Sequence, residues 1–375
     1  MHLRSRDLWF SALVAGLLMG TSAVRGVAQQ APGLPITQPS LTVDRDPLPS
    51  PDVEAPPAKA TEAPQGIGAT TIGKGAGGKY TLRTDAYEVR LNASVLDGSG
   101  QSVQTLQKDA FRVYEDGVPQ TISSFRHEDL PVSLGILIDS SGSMYDKRVA
   151  VGKASVDFVK LSNPQDEAFL VDFSFEAFID QDLTSDVGKL EAGLGFIKSS
   201  GGTAIYDALV ASADYLTKNA KHPKQVLLLI TDGDDNASTA TLEQAIRRIQ
   251  DLDGPVVYCV GLLFGDDATK SESRHAKRVL ETLAEQTGGA AYFPRSVKDV
   301  DAVAAEVAQD IRRQYTITYH STKSPTLGGY RQIHVEAKAK GFGRLQVRTR
   351  SGYYPKVAAA ADAAGPGLTD GGKRP

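Results

Sequence analysis

Residues 132–143 read VSLGILIDSSGS, a mostly apolar run that ends in an aspartate and three serines. Similar apolar runs begin at Ala168, Val226 and Val256, and segments with helical spacing lie between them. Short buried strands that alternate with helices are typical of a parallel sheet covered by helices on both faces. The sequence therefore predicts an α/β domain with a doubly wound, mostly parallel sheet, whose strands are Val132–Ile138, Ala168–Phe173, Val226–Ile230 and Val256–Leu263.

Two segments of this region have the spacing of amphipathic helices. Apolar side chains recur every three or four residues, which places them on one face of a helix. They are Ile205, Leu209, Ala213 and Leu216 in one segment, and Val297, Val300, Val303, Val307 and Ile311 in the other. A short strand pair around Phe175–Asp182 is expected to form an antiparallel edge of the sheet.

The segments on either side of this domain alternate apolar and polar residues, as half-buried strands do. Before the domain, alternation runs from Tyr87 to Val95, and further strands are expected from Phe111 and at Thr121–Phe125. After Arg313 it returns at Tyr315, Ile317 and Tyr319, and again from Ile333 to Lys340. Neither flank has enough strands for a core of its own. We therefore expect a small β-sandwich built from residues 80–130 and 314–355, with the α/β domain, residues 131–313, inserted between them.

The first residues resemble an export signal. Arg4 and Arg6 precede an apolar stretch from Leu8 to Met19, and the small residues Gly26 and Ala28 follow. This order is typical of a secretory signal peptide, here residues 1–28, with Ala23 as an alternative cleavage position. We expect an exported protein of the periplasm, the cell envelope or the extracellular space. It would contact a membrane only if the signal segment stays uncleaved.

Composition predicts two disordered segments and excludes several functions. Residues 29–79 are rich in Pro, Gly and Ala and are expected to be a disordered spacer, as is the tail at 356–375. A net charge of −4 argues against nucleic-acid binding. The glycine-rich run Gly73–Lys79 lacks the strand and the hydroxyl residue of a phosphate loop, so no nucleotide is expected. The single cysteine, Cys259, excludes an internal disulfide.

Polar side chains with hard oxygen ligands follow two of the predicted strands. Asp139, Ser141 and Ser143 lie in the loop after the first strand, and Asp232 follows Val226–Ile230. Thr203 precedes a helix and adds a third hydroxyl. In open parallel sheets, ligands bind outside the carboxyl ends of the strands. Two carboxylates with three hydroxyls suit Mg²⁺, with Mn²⁺ and Ca²⁺ as alternatives.

Asp207 lies four residues after Thr203 and has two interpretations. It could orient the ligands as a second-shell residue through hydrogen bonds. It could also be a solvated acid in the first turn of a helix.

The motif Asp139-x-Ser141-x-Ser143, followed by Thr203 and Asp232 in separate loops, resembles the metal-ion-dependent adhesion site of von Willebrand factor type A domains. The stretches Phe111–Gly117, Leu130–Leu134 and Ser351–Tyr354 are similar to the bacterial "VWFA-related" family described from Acidobacteria. The resemblance implies that a Mg²⁺ ion is held by these five residues and completed by an Asp or Glu of a partner protein.

The expected function is therefore cation-dependent binding of a protein ligand. No histidine lies near these loops in the sequence to activate a serine, so we do not expect an enzyme. The alternative is an envelope scaffold or assembly module in which the cation is mainly structural.

Overall fold

The protein is described from a computed structural model. The description covers the backbone of residues 70–74 and 80–84, and residues 88–251, 254–264, 270–324 and 327–355. The signal peptide predicted at 1–28, most of the predicted spacer and the predicted tail lie outside the described residues. The domain boundaries given above remain predictions.

The described strands are, in chain order, β1 (Thr70–Lys74), β2 (Tyr80–Thr84), β3 (Glu88–Leu96), β4 (Phe111–Glu115), β5 (Val118–Gln120), β6 (Ile122–Arg126), β7 (Val132–Asp139), β8 (Glu167–Phe173), β9 (Ala177–Thr184), β10 (Lys224–Thr231), β11 (Val256–Gly261), β12 (Ala291–Tyr292), β13 (Tyr315–His320), β14 (Arg331–Ala337), β15 (Gln346–Arg348) and β16 (Gly352–Tyr353). The described α-helices are α1 (Arg148–Lys160), α2 (Val187–Leu194), α3 (Ile205–Asn219), α4 (Leu242–Asp251), α5 (Lys270–Thr287) and α6 (Val300–Arg312).

A six-stranded sheet forms the centre of the α/β domain, in the order β12-β11-β10-β7-β8-β9. Its neighbouring strands are parallel except β8 and β9, which are antiparallel. This confirms the doubly wound, mostly parallel sheet and its antiparallel edge. The chain leaves β7 on one side for β8 and later enters β10 on the other side. The carboxyl ends of β7 and β10 therefore border the crevice where ligands bind in such sheets.

Helices cover both faces of this sheet, and all eight residues of β7 are buried. One core includes α1 and α6, and the core on the other face includes α3 and α5. The four residues predicted to form the buried stripe of α3 are all buried. The second predicted stripe is wrong at its first residue, because Val297 is 40% exposed and α6 begins at Val300. Val297 belongs instead to a 3₁₀ turn, which the hydroxyl of Ser296 closes by donating to Asp299 (2.9 Å).

The flanking strands form two four-stranded sheets, in the orders β15-β3-β13-β6 and β16-β14-β4-β5. Each sheet combines strands from before and after the α/β domain. The strand β13 lies between β3 and β6 and is antiparallel to both. Apolar residues of both sheets form one shared core. This arrangement confirms the β-sandwich built from both flanks.

The strand β1 lies within the interval predicted to be a disordered spacer, so that prediction is wrong for Thr70–Lys74. This segment pairs with β2 in an antiparallel two-stranded sheet, with Thr70 opposite Thr84. Within the described part of the chain, no helix combines the length and the apolar character needed to cross a membrane.

Candidate metal centre

The candidate site begins at Asp139, the last residue of β7, whose side chain is buried. Its carboxylate accepts two hydrogen bonds, from the backbone N–H of Ser141 (2.8 Å) and from the hydroxyl of Thr231 at the end of β10 (2.6 Å). The parallel pairing of β7 with β10 places these strand ends side by side. The neighbouring strand thus fixes the orientation of the first predicted ligand.

Asp232 lies at the same edge, directly after β10, and is also buried. Its Oδ1 accepts a hydrogen bond from the hydroxyl of Ser143 (2.8 Å), and the hydroxyls of Ser143 and Ser141 lie 3.1 Å apart. Four of the five predicted ligands are therefore linked in one hydrogen-bonded chain that joins the two strand ends.

Thr203, the fifth predicted ligand, is buried in the loop before α3 and is fixed through its backbone. Its N–H donates to Oδ1 of Asn236 (2.9 Å), and its carbonyl accepts from the N–H of Asn236 (3.0 Å). Across the described residues, Thr203 forms no direct hydrogen bond with the other four predicted ligands. It is held next to the loop that begins with Asp232.

Asp207 is hydrogen-bonded to the loop that follows Asp232. One of its oxygens accepts from the N–H and hydroxyl of Thr239 (2.9 and 3.0 Å), and the other accepts from the N–H of Ala240 (2.9 Å). In the described part of the chain, these hydrogen bonds do not reach the five predicted ligands, and its role as an orienting residue stays a prediction. Its carboxylate fixes the later part of the loop that follows Asp232.

Two functional neighbours of this site were not expected from the sequence. The ammonium of Lys147 lies 2.7 Å from Oδ2 of Asp232, with both side chains almost fully buried. Asn236 holds Thr203 as described above. Neither residue stands out by periodicity, and a lysine next to the start of a helix carries no signal for a metal site.

Burial and, to a smaller extent, the negative charge of Asp232 raise the pKa of Asp139 to about 6, against the hydrogen bonds from Thr231 and Ser141. A buried pair of carboxylates is costly unless a cation compensates it. Among the described residues, no group of three or more His, Cys, Asp or Glu side chains is placed to hold a metal. Two carboxylates with neighbouring hydroxyls are nevertheless a donor set that fits a hard divalent cation.

Exposed apolar side chains flank this edge of the sheet. Tyr145, two residues after Ser143, is 67% exposed, and so is Phe175 in the turn after β8. The ring of Phe175 covers Gly201 and Gly202, where an added Cβ would lie 2.8 Å from a ring carbon. The predicted ligands are thus bordered by an apolar rim, here called the aromatic rim and defined by Tyr145 and Phe175.

Several known proteins are similar to this chain. Among solved structures, the chain is similar to a von Willebrand factor type A protein from Catenulispora acidiphila (15% identity, 73% of this chain and 74% of that chain, TM-score 0.41). It is also similar to an aerotolerance-related membrane protein from Bacteroides fragilis (18% identity, 48% of this chain and 98% of that chain, TM-score 0.39). A third similar structure is the vWF domain of the type V pili tip protein Mfa5 from Porphyromonas gingivalis (13% identity, 49% of this chain and 95% of that chain, TM-score 0.39).

No curated protein matches the chain. The narrower resemblance to the Acidobacteria family stays a prediction. Residues 134–234, which include all five predicted ligands and none of the flanking sandwich, match the family model of the von Willebrand factor type A domain.

Proposed function

We propose that this protein is an exported module that binds a protein ligand through a divalent cation. The cation, Mg²⁺ in the first instance, would be held by Asp139, Ser141, Ser143, Thr203 and Asp232. A partner's Asp or Glu would complete its coordination. One observation carries the proposal: two buried carboxylates from neighbouring strand ends are linked through hydrogen bonds of Ser141 and Ser143 at the crevice of the sheet.

The chemistry of the donor set supports a cation with an open position. Mg²⁺ is usually bound by one or two carboxylates and keeps several waters, which a ligand's oxygen can replace. The aromatic rim would border such a ligand with apolar surface. Large exposed apolar side chains beside polar groups are typical of protein-binding sites. The expected ligand is therefore an acidic side chain next to apolar residues of the partner.

Binding fits the serines better than catalysis does. A serine nucleophile needs a base within hydrogen-bond reach. In the part of the chain that the structure describes, the side-chain partners of Ser141 and Ser143 are each other, Asp139 and Asp232. Nδ1 of His275 lies 3.0 Å from Oδ2 of Asp234, so this histidine contacts Asp234 and not either serine. The proposal therefore includes no enzymatic activity.

The alternative is a scaffold whose cation is mainly structural. The contacts of the carboxylates argue against it. Thr231 satisfies one oxygen of Asp139, and Lys147 and Ser143 satisfy both oxygens of Asp232. Because these groups have partners within the fold, we favour a cation that serves ligand binding over one that is mainly structural.

Isothermal titration with Mg²⁺ tests the site directly. We expect Asp139→Ala to abolish binding and Ser141→Ala to weaken it less, since a neutral ligand contributes less Coulomb attraction. Asp157→Ala is the matched control, because Asp157 is an exposed acid on α1 paired with Lys153. Mg²⁺ at 100 times its dissociation constant should stabilise the wild type by about 2.7 kcal/mol and leave Asp139→Ala unchanged. Equal affinity in wild type and Asp139→Ala would remove the basis of the proposal.

Ligand binding and export need separate experiments. Capture of envelope proteins by the wild type should require Mg²⁺, stop with EDTA, and fail with Asp139→Ala while circular dichroism stays native. Capture that persists in EDTA would favour the scaffold. For export, mass spectrometry of the envelope fraction should find a mature protein that begins near Gln29. An intact Met1 would show that the signal segment is retained as an anchor.

A further inference from the structure

Lys147 is a buried cation in contact with the candidate metal centre. It directly precedes α1, and its side chain is 9% exposed. Its ammonium donates to Oδ2 of Asp232 at 2.7 Å and lies 5.6 Å from the centroid of the Phe264 ring. Within the described residues, Asp232 is its only carboxylate partner. A buried ammonium requires such a partner, because desolvation of an unpaired charge is costly.

The contact places two cations in competition for one carboxylate. Both oxygens of Asp232 are already engaged, Oδ1 by the hydroxyl of Ser143 and Oδ2 by Lys147. A divalent cation bound by Asp232 and Ser143 would stand close to the ammonium, and two positive charges at such a distance repel each other in a site of low dielectric. The cation therefore has to displace Lys147 from Asp232, or it has to bind beside the ammonium despite this repulsion.

We infer that Lys147 is a tethered counter-ion, which occupies Asp232 while the centre is free of metal and exchanges with the divalent cation when it binds. This inference rests on the proposed cation site and adds a residue outside the five-residue motif. Lys147 compensates the charge of Asp232 in the free protein, so the loop after β7 keeps its shape without metal. It also lowers the affinity for the cation, because each binding event must break the ion pair.

Titration with Mn²⁺ alone, followed by calorimetry, tests the inference in the full chain. Lys147→Met keeps the length of the side chain and removes its charge. It should bind Mn²⁺ on the order of tenfold more tightly than the wild type, since the competing charge is gone. Lys153→Met is the matched control, because Lys153 is exposed on α1 and pairs with Asp157 and Asp301. The control should bind as the wild type does. Equal or weaker binding by Lys147→Met overturns the inference.

A second measurement uses the wild type and does not depend on the folding of a variant. An amine-acylating reagent followed by mass spectrometry reports the reactivity of each lysine. Saturating Mn²⁺ should raise the labelling rate of Lys147 several-fold in the wild type and leave it unchanged in Asp139→Ala. Lys224 is a buried reference that donates to the carbonyl of Ile311, and its rate should not change. A constant rate for Lys147 with Mn²⁺ bound overturns the inference.

The two experiments separate this inference from the proposed function. If neither the wild type nor Lys147→Met binds Mn²⁺, the cation site itself is absent and both proposals fail. If both bind with the same affinity, the cation site stands and the role of Lys147 fails. If Lys147→Met binds and the wild type does not, Lys147 blocks the site, and both the exchange and the proposed function of the wild type fail.

Discussion

The carboxylate of Glu115 on β4 and the guanidinium of Arg331 on β14 form a fully buried ion pair at 3.3 Å inside the β-sandwich. The hydroxyls of Tyr319, Ser321 and Tyr353 also donate to this carboxylate, at 2.7, 2.6 and 2.9 Å. Glu115 precedes the α/β domain in the chain, whereas all of its partners follow that domain. The buried pair therefore joins the two flanks at a single charged centre.

Arg331→Met should destabilise the protein by about 3–5 kcal/mol, because it leaves the buried carboxylate of Glu115 without its counter-charge. Urea unfolding followed by circular dichroism measures this change. The control is Glu88→Gln, which removes an exposed ion pair with Arg90 on the neighbouring sheet. The control should lower the free energy of unfolding by less than about 1 kcal/mol. A loss below 1 kcal/mol for Arg331→Met would mean that the pair does not hold the flanks together.

The sequence was sufficient to predict the fold where periodicity is strong. The apolar run that ends at Asp139 is typical of a buried parallel strand, and β7 is buried throughout. The approach of Asp139 and Asp232 followed from the rule that parallel strands share their carboxyl edge. The alternation at Tyr315, Ile317 and Tyr319 likewise predicted β13, whose three side chains are buried in the sandwich core.

Contacts between distant loops could not be predicted in this way. Lys147 meets Asp232 across 85 residues of sequence, and Asn236 meets Thr203 across 33. Each is a single polar residue in a loop, without a repeating pattern, and only the folded sheet brings the loops together. The strand Thr70–Lys74 escaped prediction for a similar reason: its composition resembles a spacer, and its pairing with β2 is the feature that defines it.

Gly202→Ala should weaken Mn²⁺ binding about tenfold or more, as changes next to metal ligands commonly do. An added Cβ would lie 2.8 Å from Oδ1 of Asn236, the atom that accepts from the N–H of Thr203. It would also press on the ring of Phe175, so Thr203 has to move. Calorimetric titration measures the effect. Gly142→Ala is the control, because a Cβ there meets no atom within 4 Å although it lies between Ser141 and Ser143. Equal loss in both variants would contradict the steric argument.

The protein should become less stable as the pH rises towards about 7, because the buried carboxyl of Asp180 on β9 ionises there. Burial raises its pKa to about 7, and the negative charge of Asp172 contributes. The folded state therefore holds a proton that the unfolded chain releases near pH 4, so stability is greatest at low pH and falls as this proton is lost. Asp180→Asn should reduce this trend, which melting temperatures at pH 5.5 and 8 would reveal. Asp109→Asn, at an exposed acid, should keep it. A parallel pH trend in wild type and Asp180→Asn would show that another group is responsible.

Cation binding should itself depend on pH, because Asp139 must lose its proton before it can bind a metal. Burial and the charge of Asp232 raise the pKa of Asp139 to about 6 in the free protein. Above this pH the carboxylate is ionised, and the affinity for Mn²⁺ should be nearly constant. Below it a proton competes with the cation, and the affinity should fall about tenfold per pH unit, since ligands must be deprotonated to bind. Calorimetric titrations between pH 5 and 8 measure this curve. Ser143→Ala provides the control, because it removes a neutral ligand and leaves Asp139 bonded to Thr231 and to the N–H of Ser141. The affinity of this variant for Mn²⁺ should be lower at every pH, and its pH dependence should change slope near pH 6 as in the wild type. A flat affinity from pH 5 to 7 in the wild type would mean that Asp139 is already ionised there or does not bind the cation.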